Sequence, residues 1–257
     1  VAAARLRRAQ EKAVASKPYT EKIQQVLSSL ALHAGDVEHP LLAVREVAKV
    51  AYVVLGSDKG LAGAYNSNVN KFAKTAIDVT ENVDIITVGR KPRDFFSRRG
   101  FQIVTTYSGF SERPTYQNAV EIAQYLTEKF TAEEYDEIYL VSTEFKSPIN
   151  HHPVATKLLP LDNQSEGETA VGGDYLFEPS AGEVLGLLLP KYVETVIYGA
   201  LLQSAASELG ARMAAMGAAS DNAKDLISQL ILNYNKVRQA LITREISEIV
   251  SGAEALK

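Results

Sequence analysis

The sequence contains no cysteine, which excludes disulfide bonds, thiol catalysis and cysteine-ligated zinc. This absence leaves the cellular compartment open, because a secreted chain can also lack cysteine. Long apolar stretches are missing as well. The longest, such as residues 184–189, are far shorter than the roughly 18 residues that span a bilayer. We therefore expect any membrane association to go through a partner protein.

Motifs for catalysis and metal binding are equally scarce. No Ser-His-Asp order, nucleophile elbow or isolated carboxylate pair stands out. His151 and His152 are adjacent, so an extended chain points them to opposite sides, and neither has a His, Asp or Glu at ligand spacing. We interpret both as capped loop residues. The sequence predicts no catalytic, cofactor-binding or metal-binding residue.

The composition is that of an ordinary globular protein, with 257 residues of which 46% are hydrophobic and 23% charged. The formal net charge of -4 does not indicate general nucleic-acid binding. The chain begins at Val1 rather than at methionine and shows no leader pattern, so we expect that part of the first helix precedes Val1.

One glycine-containing stretch, SDKGLAGAYNSNVNK at residues 57–71, follows an apolar run and precedes a segment with helical spacing. Such a turn can bind a phosphate when several glycines let backbone N–H groups surround the anion. Gly60 and Gly63 give only G-x-x-G, and Lys59 lies before the glycines instead of ahead of a Ser or Thr. We therefore favour a structural turn over a nucleotide site.

The first 32 residues predict an amphipathic helix. Its apolar residues recur at steps of three and four, at Leu6, Ala9, Ala13, Ile23, Val26 and Leu30. Pro18 removes one backbone hydrogen bond, to the carbonyl of Val14, so we expect a kink there and not an end. Residues 33–40, HAGDVEHP, break the helix.

The middle of the chain alternates strand and helix patterns. Strands are predicted at residues 51–57, 84–89, 101–107 and 137–145, with helices at 66–78, 92–99 and 116–130. Continuous apolar strands in this alternation predict a Rossmann-like, mainly parallel sheet that is covered on both faces. Residues 153–161 and 174–179 are predicted as edge strands on either side of a polar loop.

From residue 180 the helical period returns, and no proline follows Pro190. One apolar stripe continues at Leu226, Leu230, Tyr234, Val237 and Leu241. The small residues of ELGARMAAMGAAS would let another helix approach closely. About 65 residues of helix would be roughly 100 Å long, more than one domain needs for its own core.

The fold class is therefore α/β, with an antiparallel coiled coil of the N- and C-terminal helices and an inserted Rossmann-like, mainly parallel α/β domain. We assign residues 1–34 to the N-terminal helix, 35–180 to the α/β domain and 181–257 to the C-terminal helix. If the first helix pairs with the last from about Thr195, Ala9 and Ala13 face residues 217–220.

Two segments concentrate basic residues. GRKPRDFFSRRG, residues 89–100, carries five basic residues and one acidic residue and could attract phosphate. We favour the solvated face of a short helix whose Phe95 and Phe96 pack inward. The other cluster, near the start, consists of Arg5, Arg7, Arg8 and Lys12 beside Glu11. It is ordinary solvent-facing charge unless the helix lies inside a partner.

The C-terminal run ITREISEIVSGA, residues 242–253, resembles the signature of the gamma subunit of rotary ATP synthases, and YNKVRQALITREISEIVSGAEAL extends the match. The glycine-containing stretch is similar to the family's turn after its first strand, VAAARLRRAQ to its first helix, GRKPRDFFSRRG to its second βα unit and DYLFEP to its base. The resemblance covers the whole chain. It implies a structural glycine turn, since nucleotide in this family binds on the alpha and beta subunits.

In the family, the two terminal helices form a left-handed antiparallel coiled coil inside a ring of alternating alpha and beta subunits. The α/β domain lies below, beside the epsilon subunit and on the membrane ring of c subunits. The resemblance therefore implies the alpha, beta and epsilon subunits and the c-ring as partners, and no cofactor. Chloroplast relatives insert a cysteine pair that this chain lacks, so we favour a bacterial version.

Two sets of site residues follow from the resemblance. Four match polar positions where the family's helices meet the catalytic subunits, and from the residues alone they form a wet helix face: Arg238, Gln239, Thr243 and Glu245. Three match the base that meets the c-ring and epsilon: Tyr175, Phe177 and Glu178. Phe177 stands where some relatives have tyrosine.

The resemblance implies a mechanical function, that of a central-stalk rotor without catalysis of its own, peripheral to the cytoplasmic face of a bacterial membrane. The alternative is a nucleotide-dependent enzyme that uses the Rossmann-like domain. A free coiled-coil scaffold is a third possibility. The long C-terminal helix argues against the enzyme, and the C-terminal signature argues against the scaffold.

Overall fold

The computed structural model describes residues 2–33, 39–161 and 180–256. The chain divides into two compact units, Val1–Ala214 and Ala215–Lys257. The helices are α1 (Ala2–His33), α2 (Tyr65–Asp78), α3 (Arg90–Ser97), α4 (Tyr116–Thr131) and α5 (Ala181–Ala255), with a 3-10 turn at Pro40–Leu42. The strands are β1 (Val50–Leu55), β2 (Val83–Val88), β3 (Ile103–Tyr107), β4 (Glu137–Ser147) and β5 (Asn150–Leu159).

Within the described ranges, the strands form one sheet in the order β3-β2-β1-β4-β5. Strand β1 pairs in parallel with both β2 and β4, and β2 pairs in parallel with β3. Only β5 is antiparallel, next to β4. The predicted mainly parallel sheet is therefore confirmed, and the run at 153–161 lies largely in an edge strand as expected. The second predicted edge strand, residues 174–179, lies outside the described residues.

Strand β1 lies at the centre of the sheet, and all six of its residues are buried. Its odd-numbered side chains pack with α4 and the first part of α5, and its even-numbered side chains pack with α2 and α3. Both faces of the sheet are thus covered, which explains why its strands are continuously apolar rather than alternating.

The basic segment at residues 89–100 forms α3 and the turn after it. Phe96 is fully buried between Phe95 and Phe101, with both ring pairs in edge-to-face contact. The Arg99 guanidinium lies 3.6 Å from the centre of the Phe95 ring, so the basic side chain covers an aromatic one. The structure confirms the prediction of a charged helix with inward phenylalanines.

Helix α1 continues through Pro18 and packs antiparallel on the first part of α5. Near its start, Leu6 and Ala9 form a buried cluster that includes Leu209 of α5. Ala9 therefore does not lie against residues 217–220, where the sequence had placed it.

The predicted register of the helix pair is wrong by about three turns. The prediction placed Thr20 opposite residue 210. In the structure Thr20 lies opposite Gly199, since a side-chain carbon on Gly199 would be 4.0 Å from the Thr20 hydroxyl. The reason is that α5 begins at Ala181. Helix α1 pairs with this first part of α5, whereas the prediction let the pairing start only at about Thr195.

The interpretation of His151 and His152 as loop residues is also wrong, because both lie in β5. They pair with β4 across a tight turn, and the Glu144 carboxylate lies 3.0 Å from Nε2 of His152. Burial lowers the pKa of His151. No group of three or more His, Asp or Glu side chains in the described residues could hold a metal ion.

By length and composition alone, one helix of the described chain could cross a membrane, α5 between Gly182 and Ala255. This is weak support for a membrane span, because the core helix of a globular protein meets the same criteria. The first part of α5 is such a core helix, with Leu185, Leu189 and Val193 buried against the sheet. The sequence did not indicate this candidate span, because Lys191 and Glu194 divide the apolar residues of α5 into short runs.

The small residues of α5 face different neighbours. Gly210 faces the turn between β4 and β5, where a side-chain carbon on it would lie 3.0 Å from the Pro148 Cα. At Gly217, no described atom lies within 4 Å of such a carbon. The close approach at Gly210 is therefore to a turn and not to another helix.

We expect Gly210→Ala to lower the free energy of unfolding by about 1 kcal/mol, because the crowding against Pro148 backbone atoms outweighs the helix propensity of alanine. Chemical denaturation of the full chain measures this. The matched control, Gly217→Ala on the same helix, should leave stability unchanged or raise it by up to about 1 kcal/mol. Equal effects of the two changes would contradict the proposed crowding.

Candidate partner-binding surface

The later part of α5 exposes an unusually apolar surface. The five members of the predicted apolar stripe are all more than half accessible: Leu226, Leu230, Tyr234, Val237 and Leu241. From Met216 to Leu256 nearly every side chain is exposed. An amphipathic surface helix would bury such a stripe against its own core.

A second apolar stripe runs beside the first. It consists of Ile227, Ile231, Ile242 and Ile249, each at least 48% accessible. The stripe is advanced by one residue, which is about 100° around the helix, so the two stripes together cover a wide arc. Together they span about 160° of the circumference, more than the roughly 100° stripe that a surface helix normally turns to its core. An exposed apolar surface of this width is typical of a site that a partner covers.

The four polar residues predicted to contact catalytic subunits lie on this part of α5, and all are exposed. Arg238 and Glu245 are seven residues apart and share one face, whereas Gln239 and Thr243 are four apart and share another. The Thr243 hydroxyl donates to the Gln239 carbonyl at 2.9 Å, which leaves its oxygen able to accept a further bond. The structure thus divides the four side chains into two pairs about 130° apart around the helix.

The residues predicted for the base, Tyr175, Phe177 and Glu178, lie outside the described residues. Their assignment stays a prediction.

The glycine turn after β1 contains Asp58, whose carboxylate binds backbone groups of the neighbouring loops. Oδ2 of Asp58 accepts hydrogen bonds from the backbone N–H groups of Gly109, at 2.8 Å, and Ser111, at 3.2 Å. Its other oxygen accepts from the backbone N–H of Arg90 at the start of α3, at 3.2 Å. The side chain of Asp58 is only 5% exposed.

This arrangement resembles an anion-binding site, because converging N–H groups and the start of a helix favour negative charge. In this chain the anion is the Asp58 carboxylate. The glycines that permit close approach are Gly56 and Gly89, since a side-chain carbon on either would come within 2.8 Å of a neighbouring element. A similar carbon on Gly60 would meet only the end of the Lys91 side chain.

Sequence reasoning overlooked Asp58, although it lies inside the quoted glycine stretch. Its carboxylate binds groups 32 to 53 residues further along the chain, and no local spacing signals such contacts. It also overlooked Glu208 and Arg212, whose four-residue spacing within a run of small residues was a usable signal of a buried ion pair.

Comparison with known families gives a match over the whole chain. The family described as ATP synthase matches residues 1–256. The ATP synthase gamma chain of Heliobacterium modesticaldum is 49% identical over 264 residues, which cover 100% of this chain and 91% of that protein. The gamma chain of Pelotomaculum thermopropionicum is 48% identical over 258 residues, with the same coverage of both chains.

Solved structures share the fold. A chain in the Euglena gracilis mitochondrial ATP synthase, solved as OSCP/F1/c-ring in rotational state 3, has a TM-score of 0.64 at 17% identity and covers 98% of this chain and 94% of its own. A chain in the central stalk/c-ring structure from Tetrahymena thermophila has a TM-score of 0.58 at 22% identity, with 85% and 99% covered. At these identities the likeness concerns the fold alone.

We expect Asp58→Ala to lower the free energy of unfolding by about 2–4 kcal/mol, because three backbone N–H groups lose their acceptor in a site that water hardly reaches. Urea denaturation of the full chain measures the loss. The matched control is Asp136→Ala, since Asp136 also accepts two backbone N–H groups, from Ala48 and Lys49, but at a more exposed place. Equal losses in the two variants would contradict the role of burial.

Proposed function

Because this chain belongs to the ATP synthase gamma-chain family, we propose that it is the central-stalk rotor subunit, which transmits torque between an ion-driven c-ring and the catalytic hexamer of alpha and beta subunits. The wide apolar arc on the exposed part of α5 is the observation that carries this proposal. A partner that surrounds a helix, as a ring of subunits does, would cover both stripes.

The polar residues of the same segment supply the asymmetry that a rotor requires. Arg238 and Glu245 lie on one face, and Gln239 and Thr243 lie on another, so each surrounding subunit would meet a different set of groups. Three otherwise identical catalytic subunits can be held in different states only by contacts that differ. We propose that these four side chains contact the alpha and beta subunits.

A non-catalytic role agrees better with the α/β domain than nucleotide-dependent catalysis does. Ligands of such sheets bind at the carboxyl ends of the parallel strands. At that edge of this sheet, Asp58 lies with its carboxylate among the N–H groups that would otherwise hold a phosphate. The catalytic chemistry is therefore assigned to the partner subunits.

The remaining assignments extend the same proposal. Residues 1–34 and 181–257 are the two helices of the stalk, and residues 35–180 form the α/β domain between them. Tyr175, Phe177 and Glu178 contact the c-ring and the epsilon subunit. The subunit is then peripheral to the membrane, on the cytoplasmic face of a bacterial cell, and reaches the bilayer only through the c-ring.

Assembly tests the proposal directly. The chain should purify with alpha and beta subunits at one copy per three of each. Hydrogen exchange of the free and the assembled full chain should then show the segment after Tyr234 gaining the most protection, by about tenfold or more, because the complex encloses it. Strand β1 is the internal control, since its residues are already buried in the free chain. Equal protection of the C-terminal segment in both states would exclude enclosure by partners.

The base has a separate test. Changing both Tyr175 and Glu178 to alanine should loosen attachment to the c-ring or to epsilon and leave ATP hydrolysis by the soluble complex largely intact. Membrane binding and hydrolysis are measured on the same preparation. Normal membrane binding together with lost hydrolysis would contradict the assignment of these residues to the base.

A further inference from the structure

The last buried residue of α5 is a charged one. Arg212 is 7% exposed, and from Ala214 onward the helix becomes accessible. Buried charges are costly unless they are paired and hydrogen-bonded. Arg212 meets this requirement with three acceptors, which are Glu208 at 2.7 Å, the Gly60 carbonyl at 3.2 Å and Glu112 at 3.4 Å.

Glu112 connects the two long helices to the glycine turn. Its carboxylate binds Arg5 of α1 at 3.0 Å, Lys59 of the glycine turn at 3.0 Å and Arg212 of α5 at 3.4 Å. Glu112 itself lies in the segment between β3 and α4. One carboxylate thus joins four segments of the chain, and its side chain is only 15% exposed.

The surroundings favour the charged form of Glu112. Burial alone would raise its pKa, but the hydrogen bond from Lys59 and the positive charges of Lys59, Arg212 and Arg5 outweigh burial and hold the pKa below the ordinary value. The opposite holds for Glu208, whose pKa is raised by burial although Arg212 opposes the rise. Glu112 is therefore the anion at the centre of the network.

We propose that five side chains form a clamp that fixes the two stalk helices to the α/β domain and carries torque between them: Arg5, Lys59, Glu112, Glu208 and Arg212. They are positioning residues, and this proposal rests on the rotor function proposed above. The clamp holds α1 and α5 against the loops that follow β1 and β3.

The position of the clamp along α5 explains its mechanical value. Among the described side chains, the buried stretch of α5 runs from Leu185 to Arg212, 27 residues apart or about 40 Å along the helix. The clamp lies at the far end of this stretch, where a fixed contact resists tilting of the helix most strongly. The apolar contacts near Leu185 are non-directional, whereas the forked hydrogen bonds of Arg212 fix orientation as well as distance.

Two variants weaken the clamp in different ways. Glu112→Gln keeps the shape of the side chain and removes the charge that binds three cations. Arg212→Lys keeps the charge but loses the planar fork that reaches three acceptors at once. The matched control is Glu11→Gln, which breaks the exposed pair with Arg7 on the same helix α1, where the two groups are 3.1 Å apart.

The measurement is the angular spread of a bead attached to the α/β domain in an immobilised complex with alpha and beta subunits, paused between steps. The chain has no cysteine, so Val79→Cys, at a residue that is 82% exposed, gives a unique attachment point in every variant. The spread should grow about twofold in both clamp variants relative to the control, because the joint is less stiff. Circular dichroism and a stoichiometry of one copy per three catalytic pairs verify folding and assembly.

The outcomes separate the clamp from the rotor function. An unchanged spread in an assembled Glu112→Gln or Arg212→Lys complex overturns the clamp and leaves the rotor function standing. A complex whose chain carries only Val79→Cys, and whose bead shows no stepwise rotation during ATP hydrolysis, overturns both. If Glu112→Gln does not assemble, Arg212→Lys decides the test, because it preserves every charge in the network.

Discussion

Burial of the first part of α5 against the sheet is the constraint on which the rest of the structure depends. Leu185, Leu189, Val193 and Ile197 recur every fourth residue and belong to the same apolar core as β1, α4 and β5. Helix α1 also packs on the buried part of α5, both against this core and beyond it. Because these contacts end near Arg212, the apolar residues in the later part of α5 stay exposed and can be covered by other proteins.

The two halves of α5 show how one helix can have two kinds of apolar surface. In the first half nearly every residue from Leu201 to Arg212 is buried, so the other elements of the α/β domain and α1 enclose the helix on most sides. In the second half, pairs such as Ile227 beside Leu226 and Ile242 beside Leu241 widen the surface to a broad arc. This arc is exposed in the free chain, and its chemistry matches enclosure by several subunits.

At the polar edge of the sheet, the α/β domain also satisfies its hydrogen-bonding groups with side chains of its own. The carboxyl ends of β1, β2 and β3 meet where a Rossmann-like fold commonly holds a ligand. Here Asp58 binds the N–H groups of Gly109, Ser111 and Arg90, so these loops are fixed to one another by a side chain of the chain itself. Glu112 then joins the same region to both long helices. The edge of the sheet where such folds bind ligands is thus occupied by contacts within the chain itself.

The sequence by itself determined the alternation of strands and helices, the burial of both sheet faces and the apolar stripe from Leu226 to Leu241, because these depend on the spacing of apolar residues along the chain. The C-terminal run ITREISEIVSGA also indicated the family without any structural information. Only the tertiary structure decided the register of α1 on α5, the place of His151 and His152 in β5, the closure of the glycine turn by Asp58 and the ion pairs of Glu112 and Arg212. Each of these joins residues far apart in the chain, so it is set by the packing of the sheet and helices, which no local pattern encodes.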